Sequence, residues 1–123
     1  MIPVECERDL KKRTCAYALR IIRLYSSLQK DAVAQVLGRQ LLRSGTSVGA
    51  HYREASRGRS VAELVSKMEG GLQELDETAY WLELLIETKA VSAKRLEPLM
   101  DETEQLLAIF VTSVKTSKQK RHY

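Results

Sequence analysis

The stretch Arg43–Ser60, RSGTSVGAHYREASRGRS, decides the fold. Placed on a wheel at about 100° per residue, the helix that carries it, from Asp31 to about Arg57, separates into three faces. Leu37, Leu41, Ser44, Val48, Tyr52 and Ala55 gather on a core face. Arg39, Arg43, Arg53 and Arg57 stand opposite, within about 40° of one line. Gly38, Gly45, Gly49 and Ser56 occupy the flank between. Asp31 is placed to accept hydrogen bonds from the amides that open this helix. Gly58 stands where a left-handed C-cap is expected, and Ser60 with Glu63 forms a capping box for the next helix. A short turn between two amphipathic helices makes an antiparallel hairpin.

The glycine flank needs a reason, because each interior glycine costs a helix about 1 kcal/mol relative to alanine. Close approach of a second helix supplies one: Gly45 and Gly49 are one turn apart, the spacing of small-residue helix contacts. A locally weak or kinked helix is the alternative.

Outward from this hairpin the periodicity predicts two more helices. An N-terminal helix over about 5–28 presents Leu10, Tyr17, Ala18, Ile21, Ile22, Leu24, Tyr25 and Leu28 at helical spacing. The third helix, about 61–89, carries Val61, Leu64, Val65, Met68, Leu72, Leu75, Ala79, Leu82 and Ile86 as its core stripe. Ser92 caps a fourth, about 93–115, with Leu96, Leu99, Met100, Leu106, Leu107, Phe110 and Val114 inward and Pro98 in its early turns. The fold class is therefore all-α, an up-and-down antiparallel four-helix bundle. It forms one domain over residues 1–116, followed by a basic, disordered tail at 117–123. The 123-residue length suits one domain, and no internal repeat or linker interrupts it.

The third helix has a second apolar surface, because Ala62, Tyr80, Trp81 and Leu84 fall away from its core stripe. Aromatic patches of this kind anchor partner contacts more often than chemistry. Gly45, Gly49, Tyr80, Trp81 and Leu84 are accordingly read as an oligomer interface, the partner being a second copy of the chain.

Charge is unevenly distributed. Residues 5–30 carry seven bases against three acids, and 31–59 five against two, whereas 60–89 carry two against seven. Residues 111–123 add Lys115, Lys118, Lys120 and Arg121 with no acid. Two readings follow: basic and acidic helices pair within or between subunits, or the basic face attracts a polyanion. Arg39, Arg43, Arg53 and Arg57 span about 27 Å of helix, a length comparable to several phosphates. No aromatics interleave them, so base stacking is not indicated.

Catalytic and metal-binding constellations are weak. Ser47, His51 and Glu54 stand at i, i+4 and i+7, but a nucleophilic serine sits on a turn beside free amides, and mid-helix amides are already bonded. Glu74, Glu77, Glu83 and Glu87 supply carboxylates to one helix, yet the Glu-x-x-His pairs of a bundle di-metal site are absent. Cys6, Cys15, His51 and His122 lack zinc-ligand spacing, and Cys6 and Cys15 fall on opposite sides of a helix. No phosphate loop, CxxC pair or dinucleotide fingerprint occurs. No catalytic residue, metal or cofactor is expected. The acidic, polar start MIPVECERDL is unlike a signal peptide, and the longest apolar run, Leu106–Val111, is too short to span a membrane. The free thiols point to the cytoplasm.

Two segments, QLLRSGTSVGAHYREASRGRS and ELDETAYWLELL, resemble the bacterial four-helix-bundle proteins encoded in intervening sequences of large-subunit (23S) ribosomal RNA genes. The likeness extends over most of the chain. It implies an up-and-down bundle assembled as a homopentameric ring, a suspected role around RNA or DNA, and no known enzyme activity. The fold is also similar to that of accessory proteins of diversity-generating retroelements, thought to bind nucleic acid and a reverse transcriptase. Arg43, Ser44, Gly45, Gly49, Tyr52, Arg53, Glu54, Arg57 and Gly58 follow the family pattern, as do Asp76, Glu77, Tyr80, Trp81 and Leu84. His51 departs from it: family members usually carry asparagine there, and the histidine is larger and titratable. Two functions from different classes follow: a nucleic-acid-binding ring, or an oligomeric scaffold for another protein in which the arginines form inter-subunit ion pairs.

Overall fold

The computed structural model describes the backbone of residues 4–121 and the side chains of 9–119. The chain folds into four helices, α1 (Val4–Ser27), α2 (Ala32–Ser56), α3 (Val61–Glu87) and α4 (Ala93–Arg121), packed in sequence as an up-and-down antiparallel bundle. No strand occurs among the described residues. The fourth helix continues past its expected end at Lys115, and Ser117 is only 7% exposed. Residues 117–121 therefore extend α4, and 122–123 lie outside the described residues.

Three helix starts follow the local chemistry of the sequence. Asp31 Oδ1 accepts from the Ala34 amide at 3.0 Å, Ser60 Oγ from the Glu63 amide at 3.1 Å, and Ser92 Oγ from the Arg95 amide at 3.2 Å. Each meets a donor that the helix cannot satisfy itself. Glu63 reaches one residue further back than in the usual box and accepts from the Arg59 amide at 2.9 Å.

The helix ends correct the sequence reading. Gly58 does not adopt a positive φ, and α2 is capped by Arg57 with φ −98°. A glycine is needed there for space: a Cβ at 58 would lie 3.1 Å from the Ala55 carbonyl oxygen and 3.2 Å from the Leu64 amide nitrogen. The left-handed cap belongs instead to Lys89, φ 62°, at the end of α3. Its amide donates to the Ile86 carbonyl at 2.9 Å and the Ala90 amide to that of Leu85 at 3.0 Å, the paired bonds of a Schellman cap.

The core is a continuous apolar column containing Tyr17, Ile21, Leu41, Val48, Tyr52, Met68, Leu75, Leu82, Leu85, Leu106 and Phe110. Hydroxyl side chains complete it. Thr14, Ser44, Thr78 and Thr103 are buried at positions that continue the apolar spacing of their helices. Each is hydrogen-bonded, as burial requires. Thr78 lies 2.8 Å from Ser44 and 2.7 Å from the Glu74 carbonyl, and Tyr17 lies 2.6 Å from Thr103. These two pairs join α3 to α2 and α1 to α4. The Tyr17 phenol is held well above its ordinary pKa by burial, against the opposing effect of the Thr103 bond. Ile22, expected inside, is 40% exposed.

Gly38, Gly45 and Gly49 all face α1. A Cβ at 45 would stand 2.8 Å from Ile21 Cγ1 and 2.9 Å from Cγ2, atoms of a β-branched side chain with little freedom to move. At 49 it would meet Thr14 Oγ1 at 3.2 Å. The close approach that the glycines permit is thus made within the chain. Gly45 and Gly49 are buried beneath α1, and their assignment to an interface between copies is corrected.

Because a non-glycine residue in the left-handed region costs about 1–2 kcal/mol, Lys89→Gly should stabilise the protein by about 0.5–1 kcal/mol once the greater freedom of glycine in the unfolded chain is deducted. Urea unfolding followed by circular dichroism would measure it. An unchanged or lower midpoint would contradict the assignment of the cap.

Candidate functional site

The outer seam between α2 and α3 collects most residues that the sequence singled out. Ser44 lies against Thr78 and Glu54 against Lys67, so the two helices run antiparallel with the middle of one level with the middle of the other. Gly70, Glu74 and Trp81 share one line of α3, the helical spacing that turns them toward α2.

At one end of the seam the His51 ring rests on Gly70. A Cβ there would be 2.8 Å from both Nδ1 and Cε1 of the imidazole. Gly71 does the same for Phe110, whose Cε2 would lie 2.6 Å from a Cβ. Two adjacent glycines in the middle of a 27-residue helix would cost about 2 kcal/mol by propensity alone. They are present because two rings approach from different helices. Thus the space for the His51 ring is supplied by a glycine of α3.

In the middle, Arg43 reaches Glu77 at 3.4 Å and Glu74 at 3.8 Å. Glu74 is the more enclosed of the two acids. Burial, with the Glu77 carboxylate as second cause, raises its pKa, while Arg43 and His51 pull it the other way. At the far end Tyr80 is 53% exposed, and its ring centroid stands 5.2 Å from that of half-buried Trp81. Leu84 is also half-buried.

Three polar atoms along this seam are buried and have no hydrogen-bond partner among the described residues: His51 Nδ1, Glu74 Oε2 and Trp81 Nε1. Each such group costs about 1–3 kcal/mol. The spacing from Gly70 to Trp81 places all three within about 16 Å along one line.

The four arginines of α2 share an outward direction but not an environment. Arg43 has its two acids. Arg39, Arg53 and Arg57 are exposed and form no ion pair among the described residues. Arg53 leans toward α1, where it lines a shallow groove with Lys11, Lys12, Cys15, Ala16 and Leu19. Cys15 is an exposed free thiol, and the side chain of Cys6 lies outside the described residues.

Ser47, His51 and Glu54 are not joined by hydrogen bonds. Ser47 donates to the Arg43 carbonyl at 2.7 Å, and Glu54 is paired with Lys67 at 2.8 Å, which lowers the carboxyl pKa and raises that of the amine. No group of three or more metal-ligating side chains occurs among the described residues, Glu74, Glu77, Glu83 and Glu87 included. Nor is any helix among them long and apolar enough to cross a membrane.

The sequence profile of the family described as 23S rRNA-intervening sequence protein matches residues 7–112. A crystal structure from Bacteroides thetaiotaomicron VPI-5482, of a protein with unknown function from the S23 ribosomal protein family, is similar with a TM-score of 0.83 and 34% identity. The match covers 89% of this chain and 97% of that one. No curated protein matches.

Two outcomes test this seam. Gly70→Ala should destabilise the fold by about 1–3 kcal/mol through overpacking, and His51→Asn in the same chain should recover part of that loss; strictly additive effects would separate the two residues. For Glu74, a folded-state pKa above the unfolded value means that its protonated form favours folding, a contribution present at low pH and lost as pH rises above about 4 through the raised value. Glu74→Gln should therefore raise the melting temperature at pH 7 and leave it little changed at pH 3. A fall at pH 7 would show that the ionised carboxylate is favourably held.

Proposed function

The chain belongs to the family of 23S rRNA-intervening sequence proteins, and on that premise we propose that it is a non-enzymatic, cytoplasmic, ring-forming bundle that binds RNA or DNA through the outer face of α2. The observation that carries the nucleic-acid reading is that the exposed guanidiniums of Arg39, Arg53 and Arg57 form no ion pair among the described residues. An exposed arginine that is not held in an ion pair is available to phosphate, and guanidinium geometry suits bidentate contact. Arg43 contributes less, since Glu74 and Glu77 offset it.

Assembly is supported by a separate observation. Tyr80 and Trp81 form an aromatic patch beside a line of unsatisfied buried polar atoms. A partner surface that covers Tyr80, Trp81 and Leu84 would take the exposed aromatic ring out of water. The ring is a homopentamer, as the family resemblance implies. The same patch favours a second reading, a scaffold that holds another protein and uses the α2 arginines for ion pairs between subunits.

One experiment separates these readings. Replacing Arg39, Arg53 and Arg57 together by Gln should weaken binding of ribosomal RNA or duplex DNA and reduce the log–log salt slope by about 2–3 for a duplex, with the assembly intact by light scattering. A variant that dissociates to monomers would favour the scaffold. A wild-type protein that binds neither nucleic acid at low salt would end the nucleic-acid reading.

A further inference from the structure

The α1/α4 seam is built without α2 and carries a basic cluster of its own. A shallow groove between the last turns of α1 and the first turns of α4 is lined by Arg20, Arg23, Leu24, Arg95, Leu96 and Leu99. The three leucines are buried and form an apolar floor. None of the three guanidiniums has a carboxylate within ion-pair distance among the described residues.

This lack of acids is local. Further along the same seam Arg13 meets Glu102 at 2.6 Å, with its own pKa raised chiefly by that hydrogen bond. There the bundle neutralises an arginine across α1 and α4, and at the groove it does not. Arg20 and Arg23, three residues apart, are neighbours on one helix face, a like-charge arrangement that is mildly unfavourable unless something answers it.

Arg95 is held in place. Its Nη2 donates to Ser27 Oγ at 2.7 Å, and Ser27 in turn donates to the Leu24 carbonyl at 2.8 Å. This fixes a guanidinium of α4 across the end of α1. The two helix ends that meet here, the carbonyl end of α1 and the amide end of α4, carry opposing partial charges of roughly half a unit and largely cancel. Three full positive charges then set the sign of the groove.

We propose that Arg20, Arg23 and Arg95 form a phosphate-binding site, which takes phosphate groups either of a nucleic-acid strand or free in solution. The planar guanidiniums supply paired N–H donors to phosphate oxygens. The buried leucines beneath them bring no acid or other acceptor that would compete for the guanidiniums. The site is independent of the α2 arginines, so either can fail without the other.

The test uses the full-length protein, a fluorescently labelled single-stranded RNA 20-mer read by anisotropy, and inorganic phosphate read by the arginine Nε–H resonances. Arg20→Gln/Arg23→Gln/Arg95→Gln should lower RNA affinity about tenfold or more at low salt and reduce the salt slope by about 2, as loss of three single-strand phosphate contacts requires. Restoring the charge as Arg95→Lys in the otherwise wild-type chain should keep most of the affinity. An unchanged melting temperature would show that the triple variant is folded. If phosphate at millimolar concentration moves the three Nε–H resonances while RNA affinity is insensitive to the triple change, the site holds a free anion. If RNA affinity falls and phosphate alone moves nothing, it holds a strand. Wild-type RNA affinity and slope in the triple variant, together with no phosphate response in the wild type, would overturn the proposal. Gln replacements at Arg39, Arg53 and Arg57 run alongside report on the α2 face separately.

Discussion

Close contact between α1 and α2 through Gly38, Gly45 and Gly49 is the constraint on which the other placements depend. With Ile21 within 2.9 Å of where a Cβ at 45 would sit, any side chain there would push the helices apart or displace a stiff residue. Seating α2 this deeply against α1 fixes its rotation. Ser44 is then delivered to Thr78 on its other flank, and the arginines are left facing outward. One rotation of one helix thus sets both the α2/α3 seam and the charged surface. The propensity cost of three glycines is offset by packing within the chain, so their presence does not require a second subunit.

The second consequence concerns satisfaction of polar groups. Inside the bundle, hydroxyls at core positions find partners across or along the helices, and the Tyr17–Thr103 and Ser44–Thr78 pairs tie neighbouring helices together. On the outer α2/α3 seam the accounting does not close. His51, Glu74 and Trp81 each have one buried atom without a partner among the described residues, next to an exposed Tyr80. Costs of this size, concentrated on one line, distinguish this surface from a solvated helix face. The basic groups divide in the same way: Arg13, Arg43 and Lys67 meet acids on neighbouring helices, whereas Arg39, Arg53, Arg57 and the α1/α4 trio form no ion pair among the described residues.

Much of the fold was legible because apolar spacing and capping chemistry are local. The number of helices, their order and the caps at Asp31, Ser60 and Ser92 follow from residues close in the chain. Thr14, Thr78 and Thr103 escaped because a wheel that counts apolar residues passes over a hydroxyl whose partner lies on another helix. The glycine flank marks a place of close approach in the sequence itself, but a wheel cannot say which helix approaches, and the neighbour is α1 of the same chain. Gly70 and Gly71 were the available signal for His51 and Phe110, since two adjacent mid-helix glycines have a propensity cost that calls for contact. Lys89 escaped because nothing in a lysine announces a left-handed backbone. Of the site, the direction of the arginines and the pairing of a basic with an acidic helix were legible, whereas which arginine pairs, Arg43 with Glu74 and Glu77, depends on how α3 is rotated.

We propose that the outer α2/α3 seam is completed by another copy of the chain. Trp81 is the only tryptophan in the sequence and lies on that seam, so its emission reports directly on the surface in question. Emission spectra and light scattering should be recorded together across a dilution series. Trp81 emission is expected to shift to the red at the same concentrations at which the assembly dissociates. An emission maximum that stays constant while the assembly falls apart, or a protein monomeric at every concentration, would contradict it.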